Sequence, residues 1–113
     1  MIEGGQVFRR AWVDGVRKHF SDTGYVALWS ELPEWERASA NEVYALVRAF
    51  VEAGGTEGLS RVQKGRFVAL CWSAQANRHG GAPAADWDQL SPWQRETNAD
   101  VFEHIEGLII GVR

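Results

Sequence analysis

The stretch WSELPEWER, Trp29 to Arg37, returns as WDQLSPWQR, Trp87 to Arg95. Both read W-x-x-L-x-x-W-x-R, and the second lies 58 positions after the first. This repetition restricts the fold more than any other feature of the chain. A segment present twice, each copy carrying an apolar face with no partner of its own, closes a core when the copies pack on one another. The pairing continues beyond the motif. Within the motif Leu32 meets Leu90; past it, at the same shift, Val43 meets Val101, Ser39 meets Thr97, Glu42 meets Asp100, Tyr44 meets Phe102 and Val47 meets Ile105. The segments ahead of the two motifs also align, with sparse identities. The expectation is one domain over 1–113, with half-repeats at about 5–55 and 60–113.

The spacing of apolar residues predicts helices throughout. Phe8, Trp12, Val16 and Phe20 recur every four residues, one stripe on a helix that Gly15 weakens and that Ser21, Asp22 and Gly24 end. Ser39 with Glu42 three residues on reads as a capping box. Val43, Leu46, Val47, Phe50 and Val51 then form a helical face, and Gly54–Gly55 stop it. Ser60 with Gln63 opens a third helix, with Phe67, Leu70, Cys71 and Ala74 facing inward and HGGAPAAD as the closing loop. Thr97 caps a fourth, whose inner face is Val101, Ile105, Leu108 and Ile109. Pro33 and Pro92 suit a first helical turn, where a missing N–H costs nothing. Each motif therefore starts a short helical turn, held by Leu32 or Leu90 in the core and by tryptophans against the preceding helix, and the long helix follows Ser39 or Thr97. No stretch alternates as a strand does, so the fold class is all-α: two pseudo-repeated helix-turn-helix units packed as one four-helix domain.

Fifteen acidic against twelve basic residues give a net charge of −3. A protein that binds the phosphate backbone of nucleic acid presents a basic face, so nucleic acid is disfavoured as a partner. Two local basic clusters, Arg9, Arg10, Arg17, Lys18 and Arg61, Lys64, Arg66, read as solvated helix faces. Cys71 is the single cysteine, which excludes an internal disulfide and a cysteine metal cluster. No apolar run approaches the ~20 residues that cross a bilayer, and MIEGGQVFRR lacks the apolar core of a signal peptide. A cytoplasmic setting without a membrane partner is expected.

The turn W-x-x-L-x-x-x-x-R, followed by a small polar residue and an amphipathic helix, resembles the ryanodine-receptor (RyR) domain, whose members carry two such halves. The carriers are Trp29, Leu32, Pro33 and Arg37, then Trp87, Leu90 and Arg95, with Asn98 soon after. Members occur in the cytoplasmic part of calcium-release channels and as small modules in bacteria and phages. The resemblance implies a non-catalytic binding module of the bacterial or phage type. It also implies a nucleotide or nucleotide-derived ligand between the two halves.

Six tryptophans make the chain rich in flat apolar rings, and four of them lie in the repeated turns. The expected ligand-binding set is Trp29, Trp35, Arg37, Trp87, Trp93 and Arg95. Aromatic rings stack on bases and arginine forks on phosphate. The same rings serve equally as core packing, and the same arginines as partners of helix-end carbonyls or of Glu34 and Glu96. His19, His79 and His104 show no i, i+4 pair, so no metal site is expected, and no cofactor is called for. The acids flanking Trp35 and Trp87 point outward if the rings point in. Cys71 lies on an apolar stripe, where a thiol is inert. No nucleophile motif, P-loop or dinucleotide fingerprint occurs, so no enzymatic activity is expected. The alternative to ligand binding is a protein-interaction or assembly module with exposed tryptophans as anchors, because Trp is enriched at hot spots.

Overall fold

The computed structural model describes residues 3–20, 24, 26–80 and 86–111. Four α-helices carry the chain: α1 (Gly4–His19), α2 (Glu34–Ala53), α3 (Arg61–Arg78) and α4 (Pro92–Ile110), with no strand among the described residues. Short 3₁₀ turns at Trp29–Glu31 and Trp87–Gln89 precede α2 and α4, and a third at Thr56–Gly58 precedes α3. The expected all-α, four-helix fold is what is found. Helix α1 packs on α2 and α4, α3 packs on α4 and α2, and α2 touches α4.

The long helices start earlier than the spacing suggests, with Pro33 and Ser91 at their caps in place of Ser39 and Thr97. Leu32 and Leu90 end their turns in extended backbone, and α2 and α4 begin within two residues. At α4, Ser91 with Gln94 makes the capping pair: the Ser91 N–H donates to Gln94 Oε1 at 2.9 Å. Ser39 and Thr97, expected as caps, are instead inside their helices and fully buried. Thr97 donates its hydroxyl to the Trp93 carbonyl at 2.8 Å, one turn back along the same helix, which satisfies the group without a cap. The Ser60–Gln63 box at α3 is as expected: Gln63 N–H donates to Ser60 Oγ at 3.1 Å, and Ser60 N–H to Gln63 Oε1 at 2.8 Å. Gly54 and Gly55 end α2 with φ of +93° and +88°, a region closed to most side chains. Ser21 and Asp22, and most of the HGGAPAAD loop, lie outside the described residues.

The core is built from Phe8, Val43, Val47, Val51, Val68, Cys71, Val101, Phe102 and Ile105. Phe50, Phe67 and Phe102 close its α2–α3–α4 seam, with Phe50 and Phe67 centroids 4.6 Å apart. The inward arcs are rotated from those expected. On α1 they are Gly5, Phe8, Ala11 and Gly15; on α3 they include Gly65, Val68, Cys71 and Gln75. Phe20, Leu46, Leu70 and Leu108 are exposed, and so is Ala74. Leu70 lies two residues from Val68, about 200° round the helix, and therefore points away from the core. Small residues set the phase where helices approach closely. A Cβ on Gly15 would lie 2.6 Å from Thr97 Cγ2, so Gly15 is a contact point of α1 with α4 and not a weak position.

Lys64, expected on a solvated face, is buried between α3 and α4. Its ammonium donates to Glu106 Oε1 at 2.8 Å and to Glu103 Oε2 at 3.4 Å. Arg61 adds an ion pair with Asp100 at 2.9 Å and another with Glu103. Burial pulls the Lys64 pKa down, but the hydrogen bonds and charges of Glu106 and Glu103 outweigh it and leave it raised.

Candidate functional site

The tryptophans divide into two kinds. Trp29 and Trp87 hold their turns against the preceding helix, as expected. A Cβ on Gly5 would lie 2.6 Å from Trp29 Cη2, and one on Gly65 would lie 2.8 Å from Trp87 Cη2. Only glycine admits the indole so close to the α1 and α3 backbones.

Trp35 and Trp93 do something else. Trp93, on α4, meets Trp12 of α1 at 6.4 Å between centroids, and also His19 at 6.5 Å and Phe20 at 5.0 Å. Trp35, on α2, meets Trp72 of α3 at 6.5 Å and His79 at 6.3 Å. Each ring of the second half of the motif reaches a helix far from it in sequence, so these two tryptophans bind distant segments together and do not clamp their own turns.

The arginines serve their own turns. Arg37 Nη1 donates to the Ser30 carbonyl at 3.1 Å. Arg95 donates from Nε to the Trp87 carbonyl at 3.1 Å and from Nη2 to the Asp88 carbonyl at 3.0 Å. The Ser30 and Asp88 carbonyls accept no backbone N–H of their own short 3₁₀ turns among the described residues, whereas the Trp87 carbonyl also accepts the Leu90 N–H at 3.1 Å. Of the two roles open to the arginines, the carbonyl bonds are present, and neither guanidinium is ion-paired with Glu34 or Glu96 among the described residues.

Between α1 and α3, over α2 and α4, lies a cleft of about 350 Å³. That size is at the lower end of the range for small-molecule sites, ~300–1,000 Å³. Phe8, Trp12, Trp72, Leu32 and Leu90 give it apolar and aromatic walls, and Phe8 stacks on Trp72 at 5.9 Å. Arg9, Glu36, Ser73, Gln94 and Asn98 supply polar groups. Arg9 is held by a bond from Nη2 to the Ala27 carbonyl at 2.8 Å. Gln94 Oε1 accepts from Ser91, so its amide NH₂ is the group left over. Asn98 is only 7% exposed, yet its side-chain amide has no hydrogen-bond partner among the described residues. The buried side-chain atoms without a partner among the described residues are His19 Nε2, Ser39 Oγ and Glu106 Oε2, so the Asn98 amide is not sealed off and is open to the cleft that it lines.

None of the six residues expected to bind ligand lines this cleft; Trp35 and Trp93 stand behind its walls, each in contact with a lining tryptophan. Trp12, Trp72 and Asn98 were legible only in part. Trp12 and Trp72 lie 60 apart, a shift of two from the motif spacing, which hides the match in a single-shift alignment. Asn98 follows Arg95 in the turn pattern, but nothing in the spacing shows that it is buried.

Cys71 is buried, and burial pushes its thiol up to about 11, away from thiolate chemistry at neutral pH. Among the described residues no group of three or more His, Cys, Asp and Glu side chains could hold a metal ion, and no helix is long and apolar enough to cross a membrane. No family model, curated protein or solved structure matches the chain.

Proposed function

We propose that this chain is a non-enzymatic, RyR-like binding module that holds a nucleotide or nucleotide-derived small ligand in the cleft between two halves descended from one duplicated unit. One observation carries the reading: the cleft is lined by positions that pair between the halves. Leu32 and Leu90, Glu36 and Gln94, and Ala40 and Asn98 lie 58 apart, while Trp12 and Trp72, and Arg9 and Ala69, lie 60 apart. The contacts behind the walls pair in the same way, Trp12 with Trp93 and Trp72 with Trp35. A cleft on an approximate two-fold axis, apolar with a few convergent polar groups, has the composition of a ligand site. The cytoplasmic setting and the bacterial or phage origin belong to the same proposal.

Thermal unfolding across a nucleotide panel tests it, since a ligand that binds only the folded state raises its stability. A rise in Tm accompanied by quenching of tryptophan fluorescence is expected. Absence of both at millimolar ligand, in folded protein, refutes it.

A second reading, a protein-interaction module, draws on the exposed apolar side chains. Leu70 is 70% exposed, Leu28 65% and Trp35 39%. Concentration-dependent sedimentation that Leu70→Ser abolishes would favour it.

A further inference from the structure

We infer that Asn98 is the specificity-determining residue of the cleft, and that the ligand enters it by a flat, uncharged heteroaromatic ring whose edge carries a hydrogen-bond donor beside an acceptor. The inference rests on the cleft being a ligand site, and goes on to say which end of a ligand it takes.

Asn98 carries the argument. Its primary amide offers one acceptor and two donors; no group among the described residues bonds them, and they are not among the atoms closed off from solvent, so on a residue that is otherwise 7% exposed they are free at the cleft wall. The paired position across the cleft is Ala40, which offers nothing. The other unlike pairs, Glu36 with Gln94 and Arg9 with Ala69, also break the equivalence of the two sides. A ligand seated here is therefore oriented: its polar edge goes to the α4 side, where Asn98 and the free NH₂ of Gln94 sit one helical turn apart. An asparagine amide pairs in bidentate fashion with adjacent donor and acceptor atoms on a ring edge, as it does with adenine in a DNA groove. The walls of Phe8, Trp12 and Trp72 suit a flat ring.

The charges argue against phosphate inside the cleft. One cationic and one anionic side chain line it, Arg9 and Glu36, so there is no excess of positive charge. Arg37 and Arg95 are bonded to the carbonyls of their own turns and lie outside the lining. The ring enters, and any phosphate stays in solvent.

Calorimetric titration of the full chain with adenine, adenosine 5′-monophosphate, ribose 5-phosphate and indole tests this. Adenine and the monophosphate are expected to bind within about threefold of each other, with ribose 5-phosphate not binding at millimolar concentration. Asn98→Leu should weaken adenine at least tenfold and indole, which has a donor but no acceptor edge, by less than about threefold. Retained indole binding shows that the variant is folded and its cleft open. If Asn98→Leu binds adenine like the parent, or if ribose 5-phosphate matches the monophosphate, the inference is overturned while the cleft remains a ligand site. If adenine, monophosphate and indole all fail to bind the parent chain, the inference and the proposed cleft function fall together. If indole alone binds, only the inference falls.

Discussion

The guanidinium of Arg95 lies 5.6 Å from the centre of the Trp87 ring and donates its Nε–H to that residue's carbonyl at 3.1 Å. One side chain thus covers the indole and closes the turn that carries it. Arg37 makes a single bond to its turn, to the Ser30 carbonyl. Arg95→Lys is expected to cost about 1–2 kcal/mol, since lysine has no fork with which to reach two carbonyls. That is a Tm decrease of several degrees. Arg37→Lys should cost less. Equal losses in the two variants would show that the turn is not what Arg95 holds.

Gly15→Ala tests the approach of α1 to α4. In an open helix the change stabilises by roughly 0.5–1 kcal/mol. Here the new Cβ would sit 2.6 Å from Thr97 Cγ2, on a buried β-branched side chain whose hydroxyl is already bonded to the Trp93 carbonyl. A loss of about 1–3 kcal/mol in denaturant titration is expected. Thr97→Ser removes the clashing methyl and keeps the hydroxyl, so the double variant should recover much of the loss. Failure to recover it would place the strain elsewhere.

Lys64 and Glu106 form a pair whose side chains are 8% and 10% exposed. Removing one partner strands the other, so Lys64→Met should cost roughly 3–5 kcal/mol. Replacing both, with Lys64→Met and Glu106→Leu, should cost far less. The folded-state pKa of Lys64 is raised, so its contribution is whole at neutral pH and is lost only as pH climbs above the ordinary lysine value of 10.5. Chemical denaturation of the two variants separates the cases; equal losses would mean that the ion pair itself, not the stranded charge, sets the cost.

Cys71 predicts an alkaline limit. Its thiol is pushed from 9.0 to about 11 in the folded chain. The unfolded chain releases the proton first, so stability falls between about pH 9 and pH 11, by roughly 1–3 kcal/mol in all. Cys71→Ala should flatten that part of the profile. In the parent chain the thiol should react with a disulfide reagent far more slowly when folded than in denaturant. Comparable rates would show that the thiol is open.

The sequence by itself determined a good deal. The 3.6-residue periodicity, the Ser60–Gln63 cap and the Gly54–Gly55 stop are local signals, set by neighbours within a turn or two, and they specify four helices without any tertiary knowledge. The matched turns indicated which residues would be used alike. Tertiary structure decided the rest. Periodicity gives the width of an apolar face but not its phase, which depends on where partner backbones approach: glycine at 5, 15 and 65 draws another element in, and Leu70 and Leu108 are left outside. Ser39 and Thr97 have the chemistry of caps, and only the position of the preceding turn puts them inside helices. The arginines and motif tryptophans were visible as special, but their partners are carbonyls of their own turns for the arginines, Gly5 and Gly65 for Trp29 and Trp87, and rings tens of residues away for Trp35 and Trp93. The cleft exists because four helices leave space between Trp12 and Trp72, a property of their arrangement that no single stretch of chain encodes.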